Sequence, residues 1–238
     1  MRDYNKLVKY LSEYGVTVSD DRLEKLDRYY DMMIETNKSL NLTAITEFDE
    51  VIVKHYIDSV TLIRDIDLRQ NLSLIDVGTG AGFPGMVLKI IFPELDITLF
   101  DSLQKRLTFL DGVISELSLT GIRTCHGRAE EAGRDKNMRE QYDLCVSRAV
   151  ANLPVLLELC LPFVKVGGKF IAYKSDKGHE ELESSGRALS LLGGSLNKED
   201  SFIIPDSDMV RNLLIISKDK STPATYPRKP GTPGRKPL

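Results

Sequence analysis

The chain has 238 residues, 42% of them hydrophobic and 28% charged, with a formal net charge of −3. That length accommodates one large domain, or a domain with a subdomain, around a sizeable core, and no apolar run approaches the roughly 20 residues that span a bilayer. The charge is uneven: residues 218–238 carry six Lys/Arg against one acid (net +5) and the other 217 carry 26 against 34 (net −8), which excludes a general nucleic-acid coat and points to local cationic contacts. No signal peptide is visible. Cys125, Cys145 and Cys160 have no CxxC spacing and read as reduced core residues of a cytoplasmic protein that binds no metal.

Residues 1–65 read as a helical subdomain. Leu7, Val8 and Leu11 recur at helical spacing until Gly15 breaks the run. A second helix is predicted over about 21–36, with Leu23, Leu26, Tyr30, Met33 and Ile34 on one face. A third is predicted over about 48–65, with Val51, Val53, Tyr56, Ile57, Val60 and Ile63 as its apolar set. In the linker 37–44, Asn41 and Thr43 fit either a cap and surface turn or positions that face a pocket from above. His55 and Asp58 lie one helical turn apart, in reach of each other. A pair at the helix surface or at a domain seam is preferred there to a general base.

From 72 onward strands and helices alternate. Strands are predicted at about 72–76, 97–101, 121–126, 142–147 and 168–174, and helices at about 84–91, 103–118, 129–139, 152–164 and 178–192. That rhythm implies an α/β, Rossmann-like, doubly wound parallel sheet over 66–220. Ser201-Phe202-Ile203-Ile204 and Asn212-Leu213-Leu214-Ile215-Ile216 follow with no helix between them. They read as a terminal antiparallel hairpin that completes seven strands, an arrangement typical of class I methyltransferases and absent from NAD folds. Gly167-Gly168 reads as a turn before the fifth strand. Lys174-Ser175-Asp176-Lys177-Gly178, at that strand's far end, reads as a solvated loop on the substrate side.

The chain is organised around Leu74-Ile75-Asp76-Val77-Gly78-Thr79-Gly80-Ala81-Gly82-Phe83-Pro84-Gly85. An apolar strand runs into a glycine-crowded turn and then into a helix opened by Pro84, which is the form of a nucleotide pocket at the carboxyl edge of a parallel sheet. Gly80, Gly82 and Gly85 match the dinucleotide fingerprint, and Asp101 stands about twenty residues on. Asp76, however, places a carboxylate where a pyrophosphate would sit. S-adenosylmethionine, cationic at its ammonium and its sulfonium and free of phosphate, suits that acid better than a nicotinamide or flavin cofactor does.

Further pocket positions follow from the rule that ligands sit beyond strand carboxyl ends. Asp101 is placed to accept from both ribose hydroxyls. Main-chain groups around Ala129 are placed to read an adenine edge. Glu130 either accepts from the adenine amino group or serves as a first-turn acid of its helix. Arg148 is placed at the rim for a carboxylate or phosphate.

Residues 221–238 hold five of the chain's ten prolines together with Arg228, Lys229, Arg235 and Lys236. Such a segment is expected to run extended rather than join the core, reaching roughly 50 Å at about 3.1 Å per residue, and to track a phosphate backbone.

Together these stretches resemble the small-subunit ribosomal RNA methyltransferase G family, also called the glucose-inhibited division protein B family, over almost the whole chain. The carriers are Asn41-Leu42-Thr43-Ala44-Ile45-Thr46, Lys54-His55-Tyr56-Ile57-Asp58-Ser59, the Asp76–Gly85 loop, Asp101-Ser102-Leu103-Gln104-Lys105-Arg106, His126-Gly127-Arg128-Ala129-Glu130, Val146-Ser147-Arg148-Ala149-Val150 and Tyr226-Pro227-Arg228-Lys229-Pro230-Gly231-Thr232-Pro233. The resemblance implies methyl transfer from S-adenosylmethionine to N7 of a guanine in the 16S rRNA loop beside the decoding centre. It implies cofactor contacts at Gly78, Gly80, Phe83, Asp101, Ser102, Ala129, Glu130 and Arg148, with Asp76 behind them. RNA contacts are expected from Arg228, Lys229, Arg235 and Lys236. The chain departs from the family pattern after the fifth strand, where Lys174-Ser175 replaces a Lys-Gly pair. The implied partner is the small ribosomal subunit, met by a monomer with no general base and no metal. Phe83, Tyr56 and Tyr173 are candidates to stack the guanine. The alternatives are a methyltransferase of another RNA, a small molecule or a protein, a non-catalytic ribosome-assembly factor, and, more distantly, an NAD oxidoreductase.

Overall fold

The computed structural model describes residues 2–238, so Met1 of the expected helical segment lies outside the described range. Helix α1 (Asn5–Glu13) buries Leu7, Tyr10 and Leu11. Helix α2 (Asp20–Leu40) runs past its predicted end and stops where Asn41 turns left-handed at φ 47°, a conformation that asparagine tolerates and that ends helices. The third helix is continuous but irregular. It consists of α3 (Phe48–Val51), a π-helical turn (Ile52–Ile57), α4 (Asp58–Val60) and a 3-10 turn (Thr61–Arg64). The π turn, a form that recurs at functional sites, carries His55.

The α/β part follows in order: β1 (Ser73–Val77), α5 (Gly85–Ile91), β2 (Asp96–Asp101), α6 (Gln104–Glu116), β3 (Ile122–His126), α7 (Ala129–Ala132), β4 (Tyr142–Arg148), α8 (Leu153–Cys160), β5 (Val164–Lys174), α9 (Gly178–Glu183), α10 (Gly186–Leu192), β6 (Gly194–Ile203), β7 (Val210–Lys218) and α11 (Thr232–Arg235). The seven strands are ordered β3-β2-β1-β4-β5-β7-β6. The first five are parallel, and β7 runs antiparallel to both β5 and β6. The expected seven-stranded sheet with its closing hairpin is the observed one.

Several boundaries differ from those read in the sequence. The helix expected over 129–139 is only α7, followed by turns. The one expected over 152–164 leaves the α form at Cys160, and a 3-10 turn through Pro162 follows, since proline lacks the N–H a helix needs. The one expected over 178–192 breaks at Ser184-Ser185 into α9 and α10. Gly167-Gly168 lies inside β5, where the pairing jumps from Tyr142↔Val164 to Leu144↔Lys169 and Gly167 takes φ +90°. Strand β6 starts at Gly194 because its first half is a polar, exposed edge, which gives no alternating apolar signal.

Two apolar clusters sandwich the sheet. On one face Leu74, Ile97, Leu99, Val146, Ile171 and Leu213 pack with α5, α6 and the N-terminal helices in one continuous core. On the other face Ile75, Val77, Cys145, Phe170, Ala172 and Leu214 pack with α8 and α10. The N-terminal helices thus share their core with the sheet.

The tail corrects its expectation most. Residues 221–238 fold back onto the second face, with Pro227 and Pro233 buried and Tyr226 and Leu238 packed against that cluster. Its carbonyls, left unpaired by the proline spacing, are taken up by arginines. Arg134 donates to Pro227 O (2.8 Å) and Thr225 O (2.9 Å), and Arg139 to Tyr226 O (2.9 Å). Internal bonds such as Tyr226 N–H to Pro223 O (2.9 Å) and the short α11 turn satisfy part of the segment, and the body satisfies these remaining carbonyls.

Candidate cofactor site

The sheet's strand order reverses between β1 and β4, and the cavity lies beyond the carboxyl ends there, as a doubly wound sheet requires. It measures about 300 Å³ and is lined by Val77, Gly78, Phe100, Asp101, Ser102, Arg106, Gly127, Arg128, Ala129, Glu130, Ala149, Val150 and Leu159. That volume is at the low end of the ~300–1,000 Å³ range for small-ligand sites.

The glycine turn is tied down on three sides. Gly78 N–H and Thr79 N–H both donate to Phe100 O on β2 (2.8 and 3.1 Å). The Tyr29 hydroxyl from α2 donates to Ala81 O (2.5 Å). Asp76 holds the turn from below, its Oδ2 accepting from the Thr79 hydroxyl (2.7 Å) and from Gly85 N–H at the start of α5 (2.9 Å). Gly78 has φ +77°, and a Cβ there would come within 2.3 Å of the Val150 side chain, so only glycine fits.

Asp76 is fully buried. Burial pushes its pKa up to about 6, partly opposed by the Thr79 and Gly85 hydrogen bonds and by Arg148. Its Oδ1 has no partner among the described residues. A desolvated carboxylate with an orphaned oxygen costs stability and marks functional sites more often than structural ones. The carboxylate therefore lies beneath the glycine turn rather than projecting into it.

Asp101, at the end of β2, is nearly as buried. Its Oδ2 accepts from Gly80 N–H (3.0 Å) and its Oδ1 from Leu103 N–H (2.9 Å), with Arg106 Nη1 3.5 Å from Oδ2. A carboxylate has about four acceptor positions; Oδ1 keeps one free, and Oδ2 has one that only the distant Arg106 contact shares, so a diol can be met.

Five of the sequence-nominated cofactor residues line the cavity: Gly78, Asp101, Ser102, Ala129 and Glu130. Gly80, Phe83 and Arg148 do not line it. Gly80 serves through its N–H on Asp101. Phe83 is buried, its ring 4.3 Å from that of His55, with the Arg148 guanidinium 5.2 Å from its centre. Arg148 is turned away from the rim by Asp58, to which it donates at 2.7 Å.

Asp58 is fully buried and also binds Arg211 of β7 through two bonds, 2.7 and 2.8 Å. Its partners are therefore two arginines and not His55. His55 instead shares a 2.8 Å hydrogen bond between Nε2 and Thr43 Oγ1, and its Nδ1 lies 3.1 Å from Lys54 O. Arg148 Nη2 also lies 3.3 Å from Nδ1, so a carbonyl, a guanidinium and the Thr43 hydroxyl together hold the ring. Burial, reinforced by the Arg148 charge, lowers the His55 pKa to about 3, so the ring is neutral. Asn41 is the cap of α2, whereas Thr43 reaches inward to His55. Tyr56 and Tyr173 are buried core residues, their hydroxyls bound to Leu26 O and Ser59 O. Neither is placed to stack a base.

Sequence reasoning missed Val150 over Gly78, Arg106 beside Asp101 and the Arg211–Asp58 pair. Arg106 was legible as a first-turn residue of the helix after Asp101. Arg211 lies 153 positions from Asp58, and no local pattern announces such a pair.

The rRNA small subunit methyltransferase G family model matches residues 22–207. The chain belongs to that family. Proteins named ribosomal RNA small subunit methyltransferase G are similar over most of its length. The one from Lachnoclostridium phytofermentans is 50% identical over all of this chain and 98% of its own length. The one from Acetivibrio thermocellus is 51% identical over 98% and 95%. Among solved structures, a putative S-adenosylmethionine-dependent methyltransferase from Methanococcus maripaludis matches 81% of this chain and 93% of its own, with 18% identity and a TM-score of 0.54. A fibrillarin pre-rRNA processing protein from Methanococcus jannaschii matches 66% and 71%, with 15% identity and a TM-score of 0.51. These two speak to the fold. As a member of the methyltransferase G family the chain is an S-adenosylmethionine-dependent rRNA methyltransferase, and the spare acceptor capacity of Asp101, the cradle over Gly78 and the orphaned Asp76 oxygen fit that cofactor. No helix among the described residues is long and apolar enough to cross a membrane.

Proposed function

We propose that this chain methylates N7 of a guanine in the loop of 16S rRNA beside the decoding centre, with its methyl donor in the cavity at the β1/β4 switch point. The observation that carries the reading is Asp101. It is a buried carboxylate at the second strand's end, oriented by the Gly80 and Leu103 amides and matched in chemistry to a ribose diol. Ala129 and Glu130 then face the adenine, Gly78 and Ser102 contact the nucleoside, and Asp76 lies under the turn, its negative charge favouring a cationic ligand. Residues 66–220 form the catalytic domain, 1–65 the helical subdomain that buttresses the glycine turn, and 221–238 a basic flank.

The donor supplies an electrophilic methyl on a sulfonium. Guanine N7 has a lone pair and no proton, so the protein's task is alignment with reacting atoms about 3–3.5 Å apart, not proton removal. Neutral His55, engaged by Thr43, is not called upon. RNA contacts fall to Lys229, Arg235 and Lys236, all exposed, and to Arg128 at the cavity mouth. Arg228 is withdrawn from that set by its bond to Glu158 (2.5 Å). On this reading the chain acts with small ribosomal subunits in the cytoplasm, which the match to rRNA small subunit methyltransferases supports. Mapping 7-methylguanosine in 16S rRNA from cells with and without the gene tests this reading. Loss of one such residue in that loop is expected, and an unchanged map would refute it.

A further inference from the structure

The last eighteen residues reach the cofactor cavity. Gly231 N–H donates to Glu130 Oε1 at 2.8 Å, and Arg128 Nη2 reaches the same oxygen at 3.3 Å. Glu130 lines the cavity and is buried. One turn of chain earlier, Arg228 grips Glu158, a fully buried acid of α8, with its backbone N–H (2.7 Å), its Nε (2.9 Å) and its Nη2 (2.5 Å). The residue after Glu158, Leu159, is itself part of the cavity wall. Arg228 Nη2 also donates to Lys236 O (2.8 Å), which closes 228–236 into a loop and holds Gly231 in place. Pro227 presses on the end of α7, where a Cβ at Gly133 would meet its ring at 3.1 Å. The segment therefore contacts both walls of the nucleoside end, α7 and α8.

We propose that the C-terminal segment 222–238 is a positioning element of the cofactor site. Docked by Arg228 on Glu158, it fixes the Glu130 carboxylate through Gly231 N–H and so raises affinity for the nucleoside end of the methyl donor. A buried carboxylate with a fixed partner keeps one orientation, and a ligand that uses it spends no ordering entropy there. Its hydrogen bonds with Gly231 and Arg128 outweigh burial and hold Glu130 below the usual carboxylate range, so the positioned group is an anion. By linkage, a ligand that prefers the docked segment must in turn stabilise docking.

The proposal rests on the cavity being the cofactor site, and the test separates the two. Dissociation constants of S-adenosylhomocysteine and of 5′-methylthioadenosine, which lacks the amino-acid end, are measured by calorimetry on the full-length chain well below its melting temperature. Arg228→Ala is expected to weaken both ligands by a similar factor of about ten. Added to Glu130→Gln, it is expected to cost less than about a further twofold. Unchanged affinity in folded Arg228→Ala protein, or full additivity with Glu130→Gln, would overturn the proposal. Should Arg228→Ala not fold, the native chain decides through amide exchange at Gly231. Slowing of about tenfold or more under saturating S-adenosylhomocysteine supports the proposal, and no slowing overturns it. If Asp101→Ala also leaves both affinities intact, the placement of the cofactor has failed, and the positioning role with it.

Discussion

The two ends of the cofactor cavity are built by different physics. At the glycine turn, the wall is backed by the large core that α2, the irregular third helix and α5 share with the sheet. Tyr29, Tyr56 and Phe83 are buried there, and charge enters through Asp76, through Asp101 on Gly80 N–H and through the Asp58–Arg148–Arg211 cluster. At the nucleoside end, α7 is one turn long, its Ala129 and Ala132 lie against the second core, and charged side chains brace that wall further: Arg228 on Glu158, Arg134 and Arg139 on tail carbonyls, and buried Lys218 donating to Leu161 O (2.7 Å). A wall held by packing resists salt and tolerates only volume-conserving change. A wall held by charge-assisted bonds is lost when one partner is removed.

Substitutions sharpen or break that contrast. The largest expected effect is on stability, at a place where the packed wall depends on charge. Asp58→Asn leaves two largely buried guanidiniums without their counter-ion and should cost about 3–5 kcal/mol, read as a fall in the urea midpoint. A loss below about 1 kcal/mol would mean that the cluster is solvated. Next, Asp101→Ala removes an acceptor of two charge-assisted hydrogen bonds, each worth about 1.5–3 kcal/mol, and should weaken S-adenosylhomocysteine roughly 100-fold or more by calorimetry. Asp76→Asn should separate stability from binding. The amide keeps an acceptor for Thr79 and Gly85 and removes a desolvated charge, so the unliganded melting temperature should rise while affinity for the cationic donor falls, a trade-off common at functional sites. A fall in both would show that the carboxylate is structural.

Two smaller effects test the edges. His55 is held neutral with a pKa of about 3, below its unfolded value of about 6.5. Between those values the unfolded chain binds the extra proton, so folding stability drops as pH falls from 6.5 towards 3, by at most about 1.4 kcal/mol per unit. His55→Asn should flatten the dependence of the urea midpoint on pH in that window, and an unaltered slope would mean that the ring is protonated in the folded chain. The smallest effect is on RNA. Replacing exposed Lys229, Arg235 and Lys236 by Ala should flatten the log–log salt dependence of rRNA binding by about 2, at roughly 0.7 per lost single-strand phosphate contact. An identical slope would remove the tail from the RNA interface.

The packed wall was far more legible than the ionic one. Asp76, Gly78, Gly80 and Asp101 sit in one motif and one strand end, where local rules of turns and parallel sheets specify their placement. The β6–β7 hairpin followed from the apolar runs at 201–204 and 212–216, without the polar first half of β6. The tail misled because proline spacing argues against a ladder or a long helix, but does not say that arginines 87–93 positions away will satisfy its carbonyls. Arg148 misled for the same reason: its position at the end of β4 was right, and its direction was set by Asp58, a residue of another element. Splitting of the 178–192 helix at Ser184-Ser185 had a local cause that the apolar pattern outweighed. Partners distant in the chain leave no periodic trace in a sequence: buried acids turn Arg148 and Arg228, and the Gly231 amide fixes Glu130.

The most direct measurement is transfer of labelled methyl from S-adenosylmethionine to small-subunit rRNA by the wild-type chain and by Asp101→Ala, followed by digestion to nucleosides. The account predicts 7-methylguanosine as the one labelled nucleoside, and at least 100-fold less of it from the variant at a donor concentration below saturation. Label in any other nucleoside, or undiminished transfer by Asp101→Ala, would contradict it.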